Sequence, residues 1–325
     1  MRRGKHDLIF GISISVLVLL YLMSSTDLII HEKKVEIYPI SVIVADPSDE
    51  DHEKLRKGMD RAAQELHVDL SFITLYERND QEQQISLILR EISDGAKAVI
   101  VAPAKPSEAI AQLDDVVLNS PLVILGERFP LTQATTGIAV DHREVGKLLG
   151  EAVRENSPDI PVYLLTEGLE CGYAREIFDG IGQALEGLGY QIRVHVLQAE
   201  DDHRRLIEGM VYPHRQQAVL VALDEKSLEK AAEVLAASSV YRQQIAGLYG
   251  IGGTNRVLNY LDQGIIKGLV VHNWFDEGYL SVEKAVEAIQ EGGGIKEQQI
   301  VMEAFYITRE ELRDTRYEKM LYPID

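Results

Sequence analysis

From Ile40 onward the chain alternates between two kinds of segment, and this alternation restricts its possible folds more than any other feature. Short runs rich in β-branched residues read as buried parallel strands: Ile40–Ala45, Val68–Leu75, Ala98–Ala102, Leu122–Leu125, Val162–Thr166, Ile192–Leu197, Ala218–Leu223, Ile245–Tyr249 and Leu269–Val271. Between them apolar residues recur three and four apart, as in Leu55, Met59, Ala62, Ala63 and Leu66, or Ile85, Ile88, Leu89 and Ile92. That spacing predicts amphipathic helices. Asp141 with Glu144, and Thr308 with Glu311, have the spacing of a capping box. Gly95, Gly189 and Gly264 stand where helices should end.

Strict β-α alternation specifies a doubly wound parallel sheet. The number of units and the 325-residue length exceed what one compact sheet holds, so the chain should form two α/β lobes. No low-complexity linker divides it, which implies lobes joined by short crossovers. In open α/β sheets a ligand sits at the carboxyl ends of the strands, so the residues just after each strand are where a site is to be sought.

The N-terminus has a different character. Arg2, Arg3 and Lys5 precede Leu8–Thr26, which carries no charge and would cover roughly 28 Å as a helix, close to the hydrocarbon thickness of a bilayer. Residues 1–7 should then stay in the cytoplasm, 8–26 cross the membrane, 27–37 form a polar stalk and the remainder lie outside the cytoplasm. A cut after Ser24 or Ser25 would place Leu22 or Met23 where a signal peptidase wants a small residue, and no cysteine follows the apolar run. This favours an uncleaved signal anchor, with a cleaved secretory peptide as the alternative.

The net charge is −19, from 52 acidic and 33 basic residues. Such a chain is repelled by phosphate backbones, so no nucleic-acid partner is expected. Cys171 is the single cysteine, which excludes an internal disulfide and a cysteine-based zinc site. The Gly-rich "GIGGTN" lacks both the phosphate-loop Lys-Ser/Thr and the dinucleotide spacing, and no HExxH or GxSxG occurs. His203 and His214 read as scattered along one polar helix. The acidic turn from Asp46 to Glu53 reads as a solvated helix N-terminus. No cofactor, metal or catalytic residue is expected.

The order of the post-strand segments resembles that of the type I periplasmic binding proteins, the ribose-type sugar binders whose fold recurs in lac-repressor-like ligand domains. The resemblance runs from about Ile40 to Thr308. It is carried by "NDQEQQISLI" at Asn79–Ile88, "PLVILGERF" at Pro121–Phe129, "AVDHREVGKLLGEAV" at Ala139–Val153, "YAREIFDGIGQAL", and the long segment beginning "YGIGGTNRVLNYLDQG". It implies residues 38–140 and 273–301 in a first lobe and 141–272 and 302–312 in a second, with 313–325 as a tail. It further implies hinge closure on a small polar ligand, such as a sugar or sugar acid. A sensor histidine kinase or an ABC permease would be the membrane partner.

The resemblance places Arg128 and Arg175 on ligand-binding arginines, whose planar forks grip hydroxyls or carboxylates, and Glu127 on an acidic ligand residue. Other positions depart from it. Asp51 and His52 stand for aromatics after the first strand, and Asp201 for an aromatic of the second lobe. Ala102, Leu223 and His272 stand for amides, and Gly252 for an aspartate. With Arg128, Arg175, His52 and His272 around Glu127 the set leans cationic, which points away from a simple pentose or hexose toward a polar anionic ligand. A degenerate cleft that binds nothing is the alternative.

Overall fold

The computed structural model describes residues 3–25, 36–44, 50–75, 80–104, 112–113, 120–126, 135–157, 160–169, 172–199, 202–212, 217–292 and 298–323. Two units emerge, Met1–Ile37 and Tyr38–Asp325.

In the first unit, helix α1 spans Arg3–Ser25. Among the described residues no helix is long and apolar enough to cross a membrane. The expected transmembrane helix thus has no support from the described residues. The apolar side chains from Phe10 to Leu22 are nonetheless exposed, Leu17 at 67% and Tyr21 at 71%.

The second unit holds two six-stranded sheets. The first is ordered β11-β5-β4-β3-β1-β2 and the second β12-β10-β9-β8-β6-β7. The strands are β1 Tyr38–Val44, β2 Val68–Thr74, β3 Ala98–Val101, β4 Leu122–Gly126, β5 Thr135–Val140, β6 Val162–Thr166, β7 Ile192–Val196, β8 Ala218–Ala222, β9 Ile245–Ile251, β10 Gly268–His272, β11 Gln298–Met302 and β12 Ala304–Ile307. All pairings are parallel except β10 with β12. The chain passes between the sheets three times: after β5, between β10 and β11, and between β11 and β12.

All nine runs read as strands form strands. The three not read are β5, which opens on two threonines, and the chain-terminal pair β11 and β12. β11 is an edge strand with Gln298, Gln299 and Val301 exposed, so it lacks the apolar signature of a strand buried on both faces.

Each sheet is covered on both sides, which is why its inner strands lack in-out alternation. In β1, Ile40, Val42 and Val44 pack under helices α2 (Glu50–Leu66) and α10 (Trp274–Gln290), while Ile43 faces α3 (Gln81–Ser93). In the second lobe α4 (His142–Asn156) and α5 (Gly172–Leu185) cover one face. Helices α6 (Asp202–Val211), α7 (Glu225–Ala237) and α9 (Asn255–Asp262) cover the other, with the short α8 (Ser239–Gln244) packed beside them.

Helix ends follow the local signals. Asp141 accepts a hydrogen bond from the Glu144 amide at 3.1 Å, and Gly95, Gly189 and Gly264 all have positive φ. Glu311 accepts from both the amide and the hydroxyl of Thr308, but the turn it closes leads into a 3-10 helix at Glu311–Arg313. Beyond 313, where a tail was expected, Thr315–Leu321 forms helix α11. Tyr317, Met320 and Leu321 lie three and four apart, and the last two are buried in the second lobe's core.

The buried Tyr249 and the half-buried Tyr306 both favour the folded state only while they stay protonated. Burial pushes the Tyr306 hydroxyl far above its usual range, with Tyr249 beside it adding to the effect, and burial also raises Tyr249. Unfolded tyrosine ionises near pH 10. Since both folded values are raised, this stability is intact below about pH 10 and is lost as pH climbs through the folded values. Tyr306→Phe should therefore move the alkaline unfolding midpoint upward, as followed by circular dichroism against pH. An unchanged or lower midpoint would show that this phenol does not limit alkaline stability.

Candidate functional site

The carboxyl ends of strands from both sheets converge on a cavity of about 410 Å³, within the range of small-molecule sites. Gly126 and His272 end β4 and β10; Glu167 and Gly252 directly follow β6 and β9, and Asp224 lies two residues beyond β8.

The second lobe's wall is built from backbone-anchored carboxylates. Asp224 caps α7: its Oδ1 accepts from the Ser227 amide at 2.8 Å and its Oδ2 from the Glu167 amide at 2.9 Å. The helix N-terminus favours that charge. Glu225 Oε1 accepts from the amides of Gly253, at 3.0 Å, and Thr254, at 2.8 Å. Gly252 has φ +145, and a Cβ there would lie 2.7 Å from Glu225 Oε1. Where the resemblance expects an aspartate at 252, the carboxylate thus arrives from the neighbouring strand end. Glu167 and Lys226 pair at the rim. Tyr173 enters from α5, with the His142 ring 5.8 Å from its own.

The first lobe contributes side chains from helices. Lys54 of α2, 8% exposed, donates to the Gly253 carbonyl across the cleft. Trp274 and Glu277 come from the first turn of α10, held by its cap Asn273, which accepts from the Asp276 amide at 3.1 Å. Glu277 is 2% exposed, and its Oε2 lies 3.1 Å from His272 Nε2. The His272 ring is 4.1 Å from that of Trp274, tilted by 48°.

Among the described residues expected to bind ligand, His272 lines this wall. His52 is half-buried on α2 and Arg175 exposed on α5, and neither is among the lining residues. Asp51 falls in α2, with its side chain outside the described residues; Glu127, Arg128 and Asp201 also lie outside them. His203, read as lying on a polar helix, is buried at 5% exposure in α6. Neither ring nitrogen has a hydrogen-bond partner among the described residues. Burial lowers its pKa, a shift opposed by Asp224, Asp202 and Glu167.

Sequence reasoning missed Lys54, Glu167, Tyr173, Asp224, Glu225, Trp274 and Glu277. For Glu167, Asp224 and Glu225 the signal was available, because they lie within three residues of the end of an apolar strand. Lys54 and Glu277 lie within helices, where no positional rule singles them out. Gln84 of the "NDQEQQISLI" segment turns out to be structural. Fully buried, it donates to the Ala102 carbonyl and accepts from the Ala104 amide, both at 2.9 Å, which pins the loop after β3.

A sequence model described as a periplasmic binding protein domain matches residues 40–294. The chain belongs to the periplasmic binding protein family. Its members are binding proteins of the extracytoplasmic space, not enzymes. No curated protein matches the sequence significantly. Among solved structures the fold resembles a carbohydrate transporter solute-binding protein from Agrobacterium radiobacter, in complex with D-arabinose. The TM-score is 0.75 at 16% identity, over 89% of this chain and 100% of that one. It also resembles GanP, a glucose-galactose binding protein from Geobacillus stearothermophilus, with TM-score 0.74 and 17% identity over 86% and 99% of the two chains. A third similar structure is the TorS sensor domain–TorT complex in the absence of ligand, with TM-score 0.76 and 18% identity over 88% and 98%. At these identities the likeness is one of fold, and the family's two-lobe architecture is what this binding protein shares with all three.

Proposed function

We propose that this protein is an extracytoplasmic receptor that binds a small carbohydrate-like ligand between its lobes and reports lobe closure to a membrane partner. The observation that carries this reading is the composition of the cavity wall. Trp274 from the first lobe and Tyr173 from the second offer aromatic surface to the same space, among carboxylates and ammonium groups of both. A sugar presents C–H faces and hydroxyls, and such a wall meets both needs. The sequence departures at Asp51, His52 and Asp201 had suggested that the aromatic surface was lost; Trp274 and Tyr173 supply it from other elements.

The reading of a single-pass anchor rests on the sequence, on the uncharged run 8–26 and the basic residues ahead of it. A tethered receptor suits a signalling partner such as a sensor kinase. The second reading, a substrate-binding component of a sugar ABC importer, draws on the solute-binding proteins of the same fold.

The test uses the full chain in detergent micelles, screened by thermal shift and calorimetry against D-arabinose, D-glucose, D-galactose, sugar acids, amino sugars and polyols. A ligand at 100 times its dissociation constant should stabilise the fold by about 2.7 kcal/mol. Absence of any shift across the panel would favour a cleft that acts through protein contacts alone. The anchor is checked in the same preparation. The full-length protein should remain in carbonate-washed membranes, and a mature form starting near Thr26 in the medium would refute it.

A further inference from the structure

The charge of the cavity narrows the ligand further, on the reading that this cleft binds a carbohydrate-like molecule. Among the described residues the wall carries four carboxylates, Glu167, Asp224, Glu225 and Glu277, against two ammonium groups, Lys54 and Lys226. Lys226 is taken up by Glu167 at the rim. Asp224 and Glu225 are held by backbone amides, which fix them in place without cancelling their charge. Lys54, which donates to the Gly253 carbonyl, is the other ammonium group at this wall.

Glu277 is the decisive group. It is 2% exposed, lines the cavity, and uses Oε2 for His272, while Oε1 has no hydrogen-bond partner among the described residues. With Oε2 met by His272, Oε1 keeps its acceptor capacity for a donor or cation in the cavity. Trp274, beside His272 in the same wall, and Tyr173 opposite present aromatic faces, which also attract cations.

We infer that the ligand carries a protonated amine beside its hydroxyls, an amino sugar or a hydroxylated amine of similar size, and that Glu277 receives the ammonium group. This reverses the anionic preference expected from Arg128, Arg175, His52 and His272, of which only His272 reaches the described wall.

The test compares D-glucosamine with its neutral analogue N-acetyl-D-glucosamine, with D-glucose and with D-glucuronate. It is run by calorimetry on the full chain in detergent at about pH 6, where a primary amine of this kind is protonated. D-glucosamine should bind on the order of tenfold or more tighter than the two neutral sugars, and D-glucuronate weakest. Glu277→Gln, nearly isosteric, should erase the preference for D-glucosamine over the neutral sugars; circular dichroism confirms that the variant folds. If the neutral or acidic sugars bind as tightly as D-glucosamine, or Glu277→Gln keeps the preference, the amine assignment fails and the carbohydrate reading stands. If no sugar of any charge binds, both fail together.

Discussion

Gly58→Val should destabilise the protein by about 3 kcal/mol or more, at or beyond the upper end of ordinary overpacking. A Cβ built on Gly58 of α2 would lie 1.9 Å from the Phe275 carbonyl oxygen of α10, and one on Gly278 would lie 2.0 Å from that of Leu55. Both obstacles are backbone atoms, so no rotamer change relieves them and the helices must separate. Separation opens the contact that buries Leu55, Met59, Val282 and Ala285. Each apolar side chain re-exposed forfeits roughly 1.5–3 kcal/mol. For a domain of this size each kcal/mol lowers Tm by about 2–4 °C, so a fall of roughly 6 °C or more is expected. Gly182→Ala on α5 serves as the control: nothing lies within 4 Å of its Cβ position, and a helical Gly→Ala exchange there should be neutral or stabilising by up to about 1 kcal/mol. Equal melting temperatures for Gly58→Val and wild type would show that the helices do not approach as closely as the geometry requires. The second lobe repeats the device with Gly146 and Gly180, whose Cβ positions meet the carbonyls of Ile177 and Arg143 at 2.1 Å.

Lys54→Met should shift the unliganded protein toward an open form. The Lys54 ammonium leaves α2 of the first lobe and donates to Gly253 in the second, so it joins the lobes without any ligand. It meets a loop already fixed by Glu225 through the amides of Gly253 and Thr254. A hydrogen bond from a charged group contributes about 1.5–3 kcal/mol, which corresponds to roughly a ten- to a hundredfold change in the ratio of closed to open molecules. Methionine keeps the stem's volume and removes the charge. Fluorophores on cysteines at Leu89 and Tyr212, both exposed and on opposite lobes, would report the change once Cys171 is replaced by serine. The separation should lengthen in the variant, and ligand should close it again. Indistinguishable distance distributions would mean that this contact contributes nothing to closure.

The fold was legible because a doubly wound sheet is specified locally. Buried parallel strands need apolar β-branched residues on both faces, and Ile40–Ala45 or Ala218–Leu223 declare this in a single window. Helix ends at Asp141, Gly95 and Gly264 follow from caps and positive φ, both of which are properties of a few adjacent residues. β11 was not legible, since an edge strand with exposed Gln298 and Gln299 resembles a loop. Neither was α11, whose buried Met320 and Leu321 gain meaning only from the second lobe's core that receives them.

The site divides in the same way. Sequence alone located it, since strand ends place Glu167, Asp224, Gly252 and His272 on one rim whatever their identity. It also provided the acidic surplus from which four carboxylates at the wall are drawn. Tertiary structure decided which charges meet there. Lys54 and Gly253 are 199 residues apart in the chain, and Glu277 reaches the cavity because α10 crosses back to the first lobe after β10. Arg175 lies two residues, roughly 200° around the helix, from the lining residue Tyr173 and is exposed. A side chain's direction around a helix axis, and the partner that two lobes bring opposite it, are set by packing across the whole molecule, so no local window of sequence contains them.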